Sequence, residues 1–95
     1  MGMNFRVEYH PLVVKLDLPK LDSIIKLRIR QAIEKKLMEH PEIFGIPLRH
    51  SRKGHRKLRV GDYRIVFVIK NATVKILIIE HRSTVYAVLA RRSEG

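Results

Sequence analysis

A chain of 95 residues with 45% hydrophobic and 31% charged side chains can bury one modest core and stay soluble, so residues 1–95 are expected to form a single domain. Its formal charge of +11, from 20 Lys and Arg against 9 Asp and Glu, calls for a polyanionic partner such as RNA, DNA or an acidic protein. The absence of cysteine excludes a disulfide scaffold, a thiolate nucleophile and Cys-based zinc sites; with no bilayer-length apolar run, no basic interfacial helix and no signal-peptide pattern, the expected location is cytoplasmic, away from membranes.

Phe5, Val7 and Tyr9 alternate with Asn4, Arg6 and Glu8, the period of a half-buried first strand over 3–9. His10-Pro11 ends it, and Leu12, Val13 and Leu16 suit a short helix with Pro11 in its first turn and Pro19 at its close. Leu21, Ile25, Ile29, Ala32, Ile33 and Leu37 then lie on one stripe of a long helix over 21–40, with Lys26, Arg30, Glu34 and Lys35 off it. Asp22 or Ser23 can cap its start, and Pro41 marks its end. The two helices are expected to pack as a pair on one face of a sheet.

Residues 42–53 read as a connector broken by Gly45 and Pro47, with Ile43, Phe44, Ile46 and Leu48 tacking it to the core. From Arg49 to Lys57, seven of nine positions are basic or potentially basic, a rim that contains Arg49, Arg52, Lys53 and Arg56. The stretch KLRVGDYRIVF, Lys57 to Phe67, continues through Val68-Ile69-Lys70 and reads as two strands joined at Gly61-Asp62. Leu58 and Val60 share one side of it, while Lys57, Arg59 and Arg64 put cations into an otherwise apolar, β-branched segment. Lys70 to Thr73 has turn character, Val74 to Ile79 is the apolar run of a buried strand, and Glu80-His81-Arg82 restores charge. Val85 to Leu89 suits a last short strand or helix before a frayed tail, 91–95.

No P-loop, dinucleotide glycine fingerprint, HExxH or GxSxG is present, and His10, His40, His50, His55 and His81 lack metal-ligand spacing. The sequence therefore calls for no metal and no cofactor. What remains is Lys57, Arg59, Arg64, Arg82 and Tyr86, with His55 and His81 beside them. If the segments holding Lys57, Arg64 and Arg82 are neighbouring antiparallel strands, these groups converge on one face. Such a cluster suits cleavage of RNA by its own 2′-hydroxyl: a base deprotonates the hydroxyl, cations stabilise the dianionic phosphorane, and an acid protonates the leaving oxygen. Arg is suited to the phosphorane because its fork binds two oxygens at once, and Tyr86 can stack on a base or donate a proton. The plain alternative is an amphipathic strand whose polar face is solvated.

The order of strand, two helices, hairpin with KLRVGDYRIVF and buried strand ending in EHRSTVY resembles the RelE/ParE toxin superfamily of toxin-antitoxin systems, specifically its RelE branch. PEIFGIPLRHS, between helix and hairpin, extends the likeness over almost the whole chain. The resemblance implies an α+β fold, a curved antiparallel sheet with an N-terminal strand followed by a helical hairpin packed on one face. It also implies a toxin that enters the ribosomal decoding site and cuts messenger RNA without a metal. Lys57 would then neutralise charge or act as base, Arg64 and Arg82 would bind the phosphate and its transition state, and Tyr86 would stack on or orient the substrate. Arg49, Arg52, Lys53, Arg56 and Arg59 would hold the RNA. His55 stands where some relatives have a second lysine, so the general base is open among His55, Lys57 and His81. The implied partners are the ribosome, messenger RNA and a cognate antitoxin, whose acidic amphipathic segment would cover the basic face and the helix groove. The ParE branch, which poisons DNA gyrase, and a silent RNA-binding relative are the alternatives.

Overall fold

The computed structural model describes residues 4–49, 51 and 53–93. Five strands, β1 (Arg6–Tyr9), β2 (Ile46–Pro47), β3 (Arg56–Val60), β4 (Tyr63–Lys70) and β5 (Thr73–His81), form one sheet in the order β1-β5-β4-β3-β2. β2 to β5 are antiparallel throughout, as the two short turns between β3, β4 and β5 require. β1 runs parallel to β5, pairing Arg6 with Thr73 and Tyr9 with Ile76, so the sheet is mixed. No hairpin joins these two strands, and nothing local in the sequence announces their direction.

The first turn places Gly61 at φ +58°, and the second places Asn71 and Ala72 at φ +50° and +61°, both in the left-handed region that suits a two-residue hairpin. A register shift between Val66 and Phe67 pairs them with Ile78 and Ile76 and leaves Leu77 as the extra residue of a bulge.

Between β1 and β2 the chain is helical. Residues 11–20 form an irregular helix, widened so that the Leu18 N–H reaches the Val13 carbonyl and tightened to a 3₁₀ turn over Leu18–Lys20. Pro19 therefore lies within this piece. The helix α1 (Ser23–Ala32) is capped by Asp22, whose Oδ1 accepts the Ile25 N–H at 2.9 Å. It runs on through a wide turn at Ile33–Leu37, where the Met38 N–H donates to the Ile33 carbonyl at 3.0 Å. Pro41 begins a one-turn helix, α2 (Pro41–Phe44), inside the expected connector, because proline suits a first helical position. Gly45 follows under the Phe67 ring: a Cβ there would stand 2.2 Å from Phe67 Cζ, so only glycine lets the ring lie against this loop.

The two sheet faces differ in kind. Leu58, Ile65, Phe67, Val74, Ile76 and Ile79 meet Val13, Leu21, Ile29, Ile33 and Leu37 of the helical pair in the main core. The opposite face carries a smaller cluster, Val66 and Ile78 against Val85 and Val88 of the helix α3 (Val85–Ser93). The C-terminal segment is thus helical well into the expected tail. One buried ion pair ties it down. Asp17, 1% exposed, accepts from Arg92 at 2.6 and 3.0 Å. Beyond the end of β1 this pair also closes the edge of β5, since Asp17 Oδ2 accepts the Ile79 N–H at 2.9 Å and Arg92 donates to the Leu77 carbonyl at 3.2 Å. The Asp17 hydrogen bond keeps the Arg92 guanidinium charged, above its ordinary range, against the opposing effect of burial. No helix among the described residues is long and apolar enough to cross a membrane.

Candidate nucleic-acid interface

Strand alternation decides which basic groups share a face. Lys57 pairs with Val66, and Val66 with Ile78; one row along, Arg59 pairs with Arg64, and Arg64 with Glu80. Since Val66 and Ile78 face α3, Lys57, Arg59, Arg64 and Glu80 do too. Successive rows on one face lie about 7 Å apart. The next row holds the Gly61-Asp62 turn and Arg82, whose N–H donates to the Asp62 carbonyl at 2.8 Å and whose Nε stands 3.7 Å from Asp62 Oδ1. Lys57, the Arg59 and Arg64 pair, and Arg82 therefore form a cationic ladder along three rows.

Tyr86, on the first turn of α3 and 52% exposed, is brought to the Lys57 end of that ladder. Lys57 Nζ donates to the Tyr86 hydroxyl oxygen at 2.7 Å, leaving the phenolic hydrogen free to point at a ligand. The pair borders a cleft of about 670 Å³ with an apolar floor of Ile46, Pro47, Leu48 and Leu89. Arg49, Ser51, Lys53 and His55 complete its wall. Arg52, the remaining member of the expected rim, lies outside the described residues.

Arg64 is 9% exposed, and its Nη1 donates to the Gly61 and Tyr63 carbonyls, each at 2.9 Å. Its cross-strand neighbour Glu80 has a buried Oε2 without a hydrogen-bond partner among the described residues, 4.0 Å from Lys20 Nζ. Arg64 is thus a buried cation folded back on the Gly61-Asp62 turn, to which Arg82 is hydrogen-bonded.

His55 is also 9% exposed. Its Nδ1 lies 3.0 Å from Ser51 Oγ, and burial, aided by the charge of Lys53, pushes its pKa below the ordinary 6.5. The loop is closed by the Leu48 N–H donating to the His55 carbonyl at 3.0 Å.

Two expected members stand elsewhere. His81 has the parity of Ile79 and turns to the helix-covered face, its ring edge-on to Tyr63 at 5.6 Å and its Nδ1 2.8 Å from Ser83 Oγ. Arg56 has the parity of Leu58, and its Nη1 donates to the Gly45 carbonyl at 3.0 Å and the Glu42 carbonyl at 3.4 Å. It holds the end of α2. Ser51, Leu89 and the floor residues belong to the cleft without having been singled out by the sequence. Among the described residues no group of three His, Asp or Glu is arranged to hold a metal ion.

The sequence matches the family described as ParE toxin of type II toxin-antitoxin system, parDE, over residues 7–86. A search of curated proteins finds no match. Among solved structures, the chain is similar to one in the RelBE2 toxin-antitoxin complex of Mycobacterium tuberculosis: 29% identity, TM-score 0.76, covering 85% of this chain and 94% of that one. A chain of the archaeal RelE–RelB complex of Pyrococcus horikoshii OT3 is also 29% identical, with a TM-score of 0.59 over 84% of this chain and 97% of that one. YafQ from E. coli, at 18% identity and TM-score 0.56 over 86% and 98% of the two chains, shares the fold.

Proposed function

This chain belongs to the ParE toxin family of type II toxin-antitoxin systems, within the RelE/ParE superfamily, and from that premise we propose that it is a ribosome-dependent messenger RNA endonuclease. The observation that carries the reading is the Lys57–Tyr86 contact at 2.7 Å, at the mouth of an apolar cleft and at one end of a ladder of cations. RNA laid along the face would put a phosphate at Lys57, where the ammonium offsets charge gathering on the phosphorane. A base removes the 2′-hydroxyl proton, the oxygen attacks phosphorus, and the bond to the 5′-oxygen breaks. Tyr86 supplies the departing oxygen with its proton, and the upstream product keeps a 2′,3′-cyclic phosphate. Arg59 and Arg82 hold the neighbouring backbone, and Arg64 fixes the shape of the turn and the field along the face.

The partner expected of such a toxin is an antitoxin, as in the RelE–RelB complexes to which the chain is similar. A second groove, about 590 Å³, runs between α1 and the end of β1, with Lys26 and Arg30 beside the exposed Leu27 and Tyr9. Basic and apolar side chains in that alternation suit an acidic amphipathic segment.

The test is a reconstituted translation system in which messenger RNA 5′ ends are mapped with wild-type protein and with Lys57→Ala. Cuts confined to ribosome-bound message that fall about 100- to 1,000-fold in the variant are the expected result. The family description names ParE, and the ParE branch of the resemblance gives the second reading, inhibition of DNA gyrase. Intact message together with blocked supercoiling would establish it in place of the first.

A further inference from the structure

We propose that His55 is a neutral Nε2–H donor that reads an acceptor on an RNA base seated in the cleft, and that it is not the general base; this rests on the endonuclease reading above. The assignment begins at Ser51. Its Oγ accepts the Lys53 N–H at 3.3 Å and the His55 N–H at 3.2 Å. A hydroxyl oxygen has two acceptor sites and one hydrogen. With both sites taken by backbone donors, the hydrogen is directed at the remaining neighbour, His55 Nδ1, at 3.0 Å. Nδ1 is then the acceptor nitrogen of a neutral imidazole, and Nε2 bears the ring hydrogen.

That tautomer has a chemical consequence. Removing a proton from a 2′-hydroxyl needs a nitrogen lone pair that faces the substrate. The only such pair on this ring is occupied by Ser51, whereas Nε2 has no partner among the described residues and belongs to a side chain that lines the cleft. Burial and the neighbouring Lys53 also keep the ring neutral. His81, on the opposite face, is set aside as the base on a separate ground.

The surroundings indicate the ligand atom. Arg49 and Lys53 from the loop and Lys57 from β3 face the same space, as does the Tyr86 hydroxyl from α3. Phosphate oxygens are bound better by these cations than by an uncharged N–H, because charge-assisted bonds are about twice as strong. A neutral donor over the apolar floor of Ile46, Pro47, Leu48 and Leu89 instead matches the carbonyl oxygen or ring nitrogen of a base whose face stacks on Tyr86. His55 is therefore a specificity residue, and Ser51 is the positioning residue that sets its tautomer.

Two measurements test this. In ¹⁵N-labelled full-length protein near neutral pH, His55 should show a pyridine-like Nδ1 and a pyrrole-like Nε2, and Ser51→Ala should mix the two forms. A protonated Nδ1 in the wild type overturns the proposal whether or not RNA is cut. In the translation assay, His55→Gln, whose amide nitrogen can take the Nε2 position, should keep wild-type base preference at the cut. His55→Ala should lose about three- to tenfold in rate, flatten the base preference and leave the pH profile unchanged. If Gln falls as far as Ala, no donor at the Nε2 position reads the base, and if both lose the acidic limb of the profile, His55 is a base; either result defeats the inference while the endonuclease reading stands. Wild-type protein that cuts no message defeats that reading and the base-reading role with it, whatever the tautomer.

Discussion

The two faces of the sheet are built by opposite rules from the same strands. On the helix face the inward positions of β4 and β5 are apolar or aromatic up to His81 at the end of β5, and Ile65, Phe67 and Ile76 are fully buried beneath the helical pair. On the α3 face a middle row keeps this rule, with Val66 and Ile78 under Val85 and Val88, but the rows toward the Gly61-Asp62 turn hold Arg59, Arg64 and Glu80. The comparison shows where stability and chemistry are separated. Side chains on the helix face hold the fold without reaching a ligand. Those on the other face set Arg59 beside Arg64 with Glu80 next in the row, and α3, which brings Tyr86 to that face, is anchored from a distance through Arg92 and Asp17.

If that division is real, Phe67→Ala should cost the most. It removes a fully buried ring that packs against Gly45 and the helices, about 3–5 kcal/mol by denaturant unfolding, while folded protein keeps its affinity for RNA. Arg92→Ala should come next, at about 3 kcal/mol, because Asp17 is left charged and 1% exposed with one backbone donor. Here the effect should cross to the functional face: freeing α3 loosens Tyr86 from Lys57, so RNA affinity should fall with stability, and Arg92→Lys should recover part of both. Gly45→Ala should cost about 1–3 kcal/mol, since the new methyl must displace the Phe67 ring, and it should leave the cleft untouched. Parallel losses in stability and RNA binding for Phe67→Ala and Gly45→Ala would break the division.

Much of the helix face was legible because its signals are local. The stripe from Leu21 to Leu37 has helical period, Asp22 supplies the cap, and Leu58 and Val60 alternate up to a Gly-Asp turn. The functional face was legible in part. Lys57, Arg59 and Arg64 stand together because the hairpin fixes their register, and Arg56 could have been set apart from them, since it shares its parity with Leu58. His81 could not. It follows a run buried on both sides, Val74 to Ile79, where alternation does not say which face a residue takes, and Leu77 adds a bulge. The helix at the C-terminus was equally hidden. VYAVLA suits strand or helix, and the choice is made by packing on Val66 and Ile78 and by an ion pair between residues 75 positions apart. Only an Asp set among Val13, Val14, Leu16 and Leu18 hinted that residue 17 is buried with a partner.

The smallest expected effect lies in the turn that both faces share. Asn71 and Ala72 adopt φ +50° and +61°, and asparagine tolerates this region better than alanine, whose Cβ crowds the backbone there. Ala72 is held by register, since β4 closes with Lys70 opposite Thr73, and by its carbonyl, which accepts the Arg6 N–H of β1 at 3.0 Å. Glycine removes the crowding but enlarges the conformational freedom of the unfolded chain, and the two effects oppose each other. At an αL position the relief is the larger, so Ala72→Gly should raise stability by about 0.5–1 kcal/mol. Thermal unfolding would detect this, and RNA binding, on the far side of the sheet from β1, should not change. A destabilised Ala72→Gly would mean that the alanine methyl packs on something the turn depends on, and that β1 owes its place beside β5 to more than the ladder of hydrogen bonds that begins at Arg6.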